Sequence, residues 1–229
     1  MRAGLFSLLL IGFASQIQAQ DVLPPFWNEI TAFKTADSIS KPAPGAILFI
    51  GSSSFRLWKN LDSSFVGYRI INRSFGGSTL LDQLRYYEDV VYPYQPRQVL
   101  IYCGENDFAA SDTLQPATVM QRFIDLFKLI RKKYPTVPIA YVSMKPSPSR
   151  AHLLDKYQAG NAMIKAYLAS QKRTKYVDVY GNMLEPDGSP MKNIFLSDNL
   201  HLNVDGYAIW QKLIQPILTP EPVQKKLKR

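Results

Sequence analysis

The chain has 229 residues, 46% of them hydrophobic and 20% charged. That is room for one α/β domain with its own core, and it excludes a disordered chain. Of the formal net charge of +9, four charges sit in the tail at Lys225, Lys226, Lys228 and Arg229, which reads as a solvated, frayed end. No basic stripe with interleaved aromatics is left to bind nucleic acid, and the single cysteine, Cys103, excludes an internal disulfide.

At the N-terminus, Arg2 precedes an apolar run from Leu5 to Phe13, and Ala19 offers a small residue for cleavage. A run this short falls below the length of about 20 residues that spans a bilayer, so residues 1–19 are expected to be a signal peptide. The exported protein would begin at Gln20, periplasmic or secreted, with no stable membrane insertion after cleavage. Residues 20–45 are expected to hold a short helix from Phe26 to about Ser38 and a linker broken by Pro42 and Pro44. A single domain then runs over 46–219, and 220–229 forms the basic tail.

Within the domain, five apolar runs have strand length. They are 46–51, 68–72, 99–103, 138–143 and 176–180, and the first is continuous and ends in Gly51, as expected of a strand buried on both faces. Helical spacing lies between them. Leu80, Leu81, Leu84, Tyr87, Glu88 and Val91 share one face, as do Val119, Phe123, Leu126, Phe127 and Ile130. Two further helices are expected over about 152–171 and 204–218. Strands alternating with helices predict an α/β fold, a three-layer α/β/α sandwich around a five-stranded parallel sheet.

In such sheets ligands bind beyond the carboxyl ends of the strands, so the polar residues at those ends matter most. The first strand runs into Gly51-Ser52-Ser53-Ser54, where a serine opens a helix either as a cap or as a nucleophile. The second leads to Phe75-Gly76-Gly77-Ser78, whose glycines suit a close backbone approach to a ligand or simply a tight turn. The third ends in Gly104-Glu105-Asn106-Asp107, where Asn106 is either an oxyanion donor or a turn residue. Before the last helix stands Ser197-Asp198-Asn199-Leu200-His201. An Asp and a His three apart can meet within one turn, the carboxylate fixing the imidazole tautomer. The chain has two histidines, and only His201 has an acid so near; His152 reads as structural or as a pocket-rim residue.

These four blocks, in this order, resemble the SGNH (GDSL-like) hydrolases, a family named for Ser, Gly, Asn and His. The resemblance covers about 46–215, and GEND and DNLHLNVDGY are its most specific pieces. It implies a flavodoxin-like SGNH hydrolase fold and a serine esterase. Ser53 would be the nucleophile, His201 the general base and Asp198 its partner. The oxyanion hole would combine the backbone N–H groups of Ser53 and Gly77 with the Asn106 amide. The first block departs from the family's usual Gly-Asp-Ser-Leu, since Ser52 replaces the Asp, and this leaves Ser52 and Ser54 as rivals of Ser53.

No cofactor and no metal is expected, because two distant histidines and one cysteine do not make a zinc site. Cys103, inside an apolar strand, is expected to be inert. Trp58, Tyr86, Tyr87 and Phe108 read either as core or as residues beside the site. The expected substrate is a small-molecule or carbohydrate ester with a short acyl group such as acetyl. A non-catalytic glycan-binding module and an acyltransferase remain as alternatives.

Overall fold

A computed structural model describes residues 23–111 and 113–221. The expected signal peptide and residues 222–229 of the basic tail lie outside the described residues. The sheet has five strands: β1 (Ile47–Gly51), β2 (Ile70–Asn72), β3 (Gln98–Tyr102), β4 (Ile139–Val142) and β5 (Thr174–Val177). All pairings are parallel and the order is β2-β1-β3-β4-β5. This is the flavodoxin-like order, in which the winding reverses between β1 and β3.

The expected three layers follow from the side-chain period of two along each strand. Leu48 and Ile50 of β1, Val99 and Ile101 of β3, and Ile139 and Tyr141 of β4 pack into one core. That core is covered by α1 (Trp27–Ile39), α4 (Leu80–Arg85), α5 (Tyr87–Val90), α7 (Pro116–Lys133) and α8 (Leu154–Ala169). The alternate residues Ile47, Phe49, Leu100, Tyr102, Ala140 and Val142 enter a second core on the other face. There α2 (Ser53–Arg56), α3 (Leu61–Ser64) and α9 (Val204–Ile214) contribute Phe55, Leu61, Trp210 and Ile214. The central strands β1, β3 and β4 are buried throughout, which accounts for their continuous apolar runs.

Three expected helices are divided. The helical face from Leu80 to Val91 breaks at Tyr86, whose backbone leaves the helix (φ −108°, ψ 13°). There the Tyr86 hydroxyl donates to Pro25 O at 2.6 Å and the ring meets Phe75 edge-on, so anchoring of α1 overrides helical periodicity. The helix expected from His152 begins instead as a 3₁₀ turn, Pro148–Leu153, with Arg150 non-helical at φ −121°, ψ 27°. The last helix stops at Ile214 and ends in a 3₁₀ turn, Gln215–Ile217, because Pro216 has no N–H to continue the ladder. Beyond it, Glu221 accepts hydrogen bonds from Arg97 and Arg69, tying the segment after the last helix to the sheet beside β2 and β3. Among the described residues no helix is long and apolar enough to cross a membrane.

Candidate active site

β1 and β3 stay paired through Gly51 and Tyr102 at the reversal of strand order, and the turns beyond both carboxyl ends carry site residues. Gly51 closes β1 with φ 137°, and a Cβ there would lie 1.9 Å from Tyr102 O. Only glycine permits this approach. Ser52 N then donates to Tyr102 O at 2.9 Å, and the chain turns directly into α2. The three serines take three different places. Ser52 precedes the helix without making a side-chain cap, and its Oγ accepts from Asn106 Nδ2 at 2.7 Å. Ser54 is buried. Ser53, half-buried at the first position of α2, has its Oγ 3.2 Å from His201 Nε2.

His201 comes from a tight loop between Phe195 and Leu202, which pair as an isolated antiparallel bridge. Leu196 N donates to His201 O at 2.7 Å, and Asn199 takes a left-handed conformation, φ 55°. The turn folds Asp198 back on its own loop. Its Oδ1 accepts from Leu200 N and His201 N, each at 2.9 Å, and its Oδ2 lies 2.6 Å from His201 Nδ1. Partial burial works against ionisation of Asp198. The hydrogen bonds from the His201 backbone, the imidazole and Leu200 N outweigh it, holding the carboxyl down at about 2. Asn203 then caps α9 by accepting from Asp205 N and Gly206 N, so the histidine loop is fastened at the start of a core helix.

The Gly77 loop is fixed from three sides. Gly51 O accepts from Phe75 N at 2.9 Å, Ser78 Oγ at 3.1 Å and Gln83 Nε2 at 3.2 Å. Thr79 and Asp82 form a reciprocal capping box at the start of α4. Asp107 accepts from Leu80 N. Gly77 itself is exposed with φ 80°, a conformation that suits glycine. Among the described residues neither Ser53 N–H nor Gly77 N–H donates to another group.

Asn106 stands in α6 (Glu105–Ala109), immediately after β3. Besides Ser52, its Nδ2 donates to Ser78 O at 3.0 Å. Ser53, His201, Asp198 and Asn106 thus meet in one chain of contacts running through Ser52, and the loop carrying Gly77 is bound to that same chain at Ser78. The sequence reading missed Glu105, Lys145 and Arg150. Glu105 Oε2 accepts from Lys145 Nζ at 2.9 Å inside the fold, and Arg150 Nη2 donates to Asn106 Oδ1 at 2.9 Å. The available signal was an acid at the end of β3 and two cations in the Pro-rich loop after β4.

The remaining candidates separate cleanly. Tyr86 and Phe108 are buried in the core, and Tyr87 packs edge-on against Tyr92. Trp58 is mostly buried, yet with Leu196, His201, Val204 and Tyr207 it lines a groove of about 510 Å³. Its ring stacks on Tyr207 at 4.8 Å. His152 is exposed on the 3₁₀ turn. Cys103 is buried, and burial pushes its thiol well up, which removes it as a nucleophile.

A serine hydroxyl at a helix start, an imidazole fastened by an aspartate, and two backbone N–H groups without partners among the described residues lie together beyond the carboxyl ends of β1 and β3. Residues 37–209 match the GDSL-like Lipase/Acylhydrolase family, and the chain belongs to that family as a hydrolase of carboxylic esters. No curated protein matches it by sequence. Among solved structures it is similar to a GDSL-like lipase from Bacteroides thetaiotaomicron, with 22% identity over 82% of this chain and 96% of that one, TM-score 0.71. It is also similar to an acetyl-xylooligosaccharide esterase from Geobacillus stearmophilus, with 16% identity over 81% and 99%, TM-score 0.62. A carbohydrate esterase family 3 protein from Talaromyces cellulolyticus shares 16% identity over 75% and 95%, TM-score 0.59.

Proposed function

We propose that the protein is an exported serine esterase that removes short acyl groups, acetyl in particular, from small-molecule or carbohydrate esters. The observation that carries the reading is the Ser53–His201–Asp198 line, with contacts of 3.2 and 2.6 Å. Ser53 Oγ bonds to the ester carbonyl carbon while its proton passes to His201 Nε2, and the carbonyl electrons move to oxygen. Asp198 holds the Nδ1 proton and stabilises the imidazolium. The oxyanion is received by Ser53 N–H and Gly77 N–H, joined by Asn106 Nδ2 as its hydrogen bond to Ser52 Oγ is given up. When the C–O bond breaks, His201 returns the proton to the leaving alcohol. Water repeats the sequence on the acyl-enzyme, releasing the acid and restoring Ser53.

Support for the acyl and alcohol halves is of a different kind. The groove beside His201 combines the apolar Leu196 and Val204 with polar Asn60 and Gln211, which suits an alcohol half of mixed character. Two of the similar structures are esterases of carbohydrates by name. The leader-like N-terminus supports export to the periplasm or beyond.

The test is hydrolysis of p-nitrophenyl acetate and butyrate by the protein starting at Gln20, beside Ser53→Ala and His201→Ala. Activity favouring acetate and lost in both variants, with folding unchanged, is the expected result. Full activity in Ser53→Ala would remove the nucleophile and the reading with it.

A further inference from the structure

The Asn106 amide is held at both ends. Nδ2 donates to Ser52 Oγ and Ser78 O, while Oδ1 accepts from Arg150 Nη2 at 2.9 Å. Arginine has donors only. With the amide turned over, an NH₂ group would face the guanidinium and a carbonyl oxygen would face Ser78 O, so Arg150 at one end and Ser78 O at the other fix which end of Asn106 faces the nucleophile turn. A cation on the carbonyl oxygen also draws electron density from the amide nitrogen, strengthening its N–H as a donor.

Arg150 is itself steered from behind. Its Nη1 lies 3.6 Å from Glu105 Oε2, and its side chain is 17% exposed. Glu105 has a full set of other partners: the Tyr102 hydroxyl and Lys145 N on Oε1, and Lys145 Nζ on Oε2 at 2.9 Å. Lys145 is 2% exposed and already balances the carboxylate. Arg150 is therefore not needed to neutralise Glu105, and the cluster holds one more positive charge than negative, next to the Asn106 amide. The backbone agrees with this placement. Arg150 leaves helical geometry inside its 3₁₀ turn, and Ser149 N donates to Asn199 O at 3.1 Å, joining that turn to the Asp198–His201 loop.

We propose that Arg150 is a positioning residue for ester hydrolysis, set by Glu105, which orients and polarises the Asn106 carboxamide so that its Nδ2 serves the oxyanion. The inference rests on the esterase reading above and adds a residue to it. Arg150 touches no reacting atom; its effect passes through Asn106 and belongs to the transition state, where the oxyanion forms.

The experiment is a double-mutant cycle. Arg150→Met, Asn106→Ala and the double variant are compared on p-nitrophenyl acetate, and by the rate at which an alkyl fluorophosphonate labels Ser53. Labelling reads the same oxyanion pocket without a chosen ester. Arg150→Met is expected to lower kcat about 10- to 100-fold with KM within about 3-fold, and to slow labelling in parallel. On an Asn106→Ala background it should cost less than about 3-fold more. Arg150→Lys should recover part of the loss, since one cation can still reach Oδ1. Independent losses that multiply in the double variant would mean that Arg150 acts on substrate directly, and would overturn the proposal. So would a change in KM alone. If Arg150→Met does not fold, Arg150→Gln takes its place in the cycle and is read in the same way. The two readings fail separately. A parent whose labelling survives Ser53→Ala loses the esterase reading and this proposal together, whereas Ser53-dependent labelling that is indifferent to Arg150 overturns the proposal alone.

Discussion

The carboxylate of Asp107, in α6, accepts a hydrogen bond at 2.9 Å from the backbone N–H of Leu80, the first residue of α4. Its other oxygen accepts from Arg122 Nη1 of α7 at 2.7 Å. One side chain thereby links the block after β3 to the loop after β2 and so sets where Gly77 stands relative to Asn106. Asp107→Ala should leave a helix-start donor and Arg122 without their partner. The expected loss is about 3 kcal/mol of stability, measured by urea unfolding, together with a fall in kcat. Unchanged stability would mean that α4 is held by its Thr79–Asp82 box alone.

Asn106→Ala removes the side-chain donor and leaves Ser53 and His201 in place. A loss of about 100- to 1,000-fold in kcat is expected, with little change in KM. Steady-state kinetics on p-nitrophenyl acetate decide it. Full activity would transfer the oxyanion to the backbone donors alone.

The depressed carboxyl of Asp198 sets a pH dependence. Because its folded value of about 2 lies below the unfolded one, its contribution to stability is complete above about pH 4 and is lost as the pH falls towards 2. The Tm difference between the parent and Asp198→Asn should therefore close as the pH falls from about 4 towards 2. Above about pH 4 Asp198 remains ionised and can accept from the imidazole throughout. Asp198→Asn should lower kcat about 100-fold or more by releasing the tautomer. A Tm difference that stayed unchanged down to about pH 2 would contradict the assignment.

Gly51→Ala puts a methyl group where Tyr102 O already lies, 1.9 Å from the ideal Cβ. Separation of β1 from β3 at their carboxyl ends is the available relief. The expected cost is about 3 kcal/mol or more, seen as a lowered Tm or failure to accumulate. A soluble variant should lose activity out of proportion to stability, since Ser53 shifts with the turn.

Much of this was legible because the signals were local. The runs 46–51 and 99–103 are apolar without alternation since both faces of β1 and β3 are covered, and each ends in the block that carries Ser53 or Asn106. Asp198 and His201 meet within one turn, so their spacing sufficed. What escaped were contacts made by distant segments. Tyr86 divides a regular helical face because it reaches Pro25, 61 residues away, and no periodicity records that. Arg150 meets Asn106 from 44 residues off. The rivalry of Ser52, Ser53 and Ser54 was equally tertiary, as it is Ser53 that meets His201, 148 residues downstream, while Ser52 meets Asn106.

Gly51 O, the last carbonyl of β1, receives donors from Phe75, Ser78 and Gln83. The turn that presents the nucleophile and the loop that presents Gly77 consequently hang from a single oxygen atom, and neither can drift without the other. No side chain in the groove walls at Leu57–Asn60, Leu196 or Val204 shares that suspension. The walls are joined instead to two of the site residues, since Leu57 N donates to Ser53 O at 2.8 Å and Leu196 N to His201 O at 2.7 Å. Side-chain changes on those walls that spare these backbone bonds leave the Gly51 suspension untouched, and re-engineering of this esterase has its safest ground there.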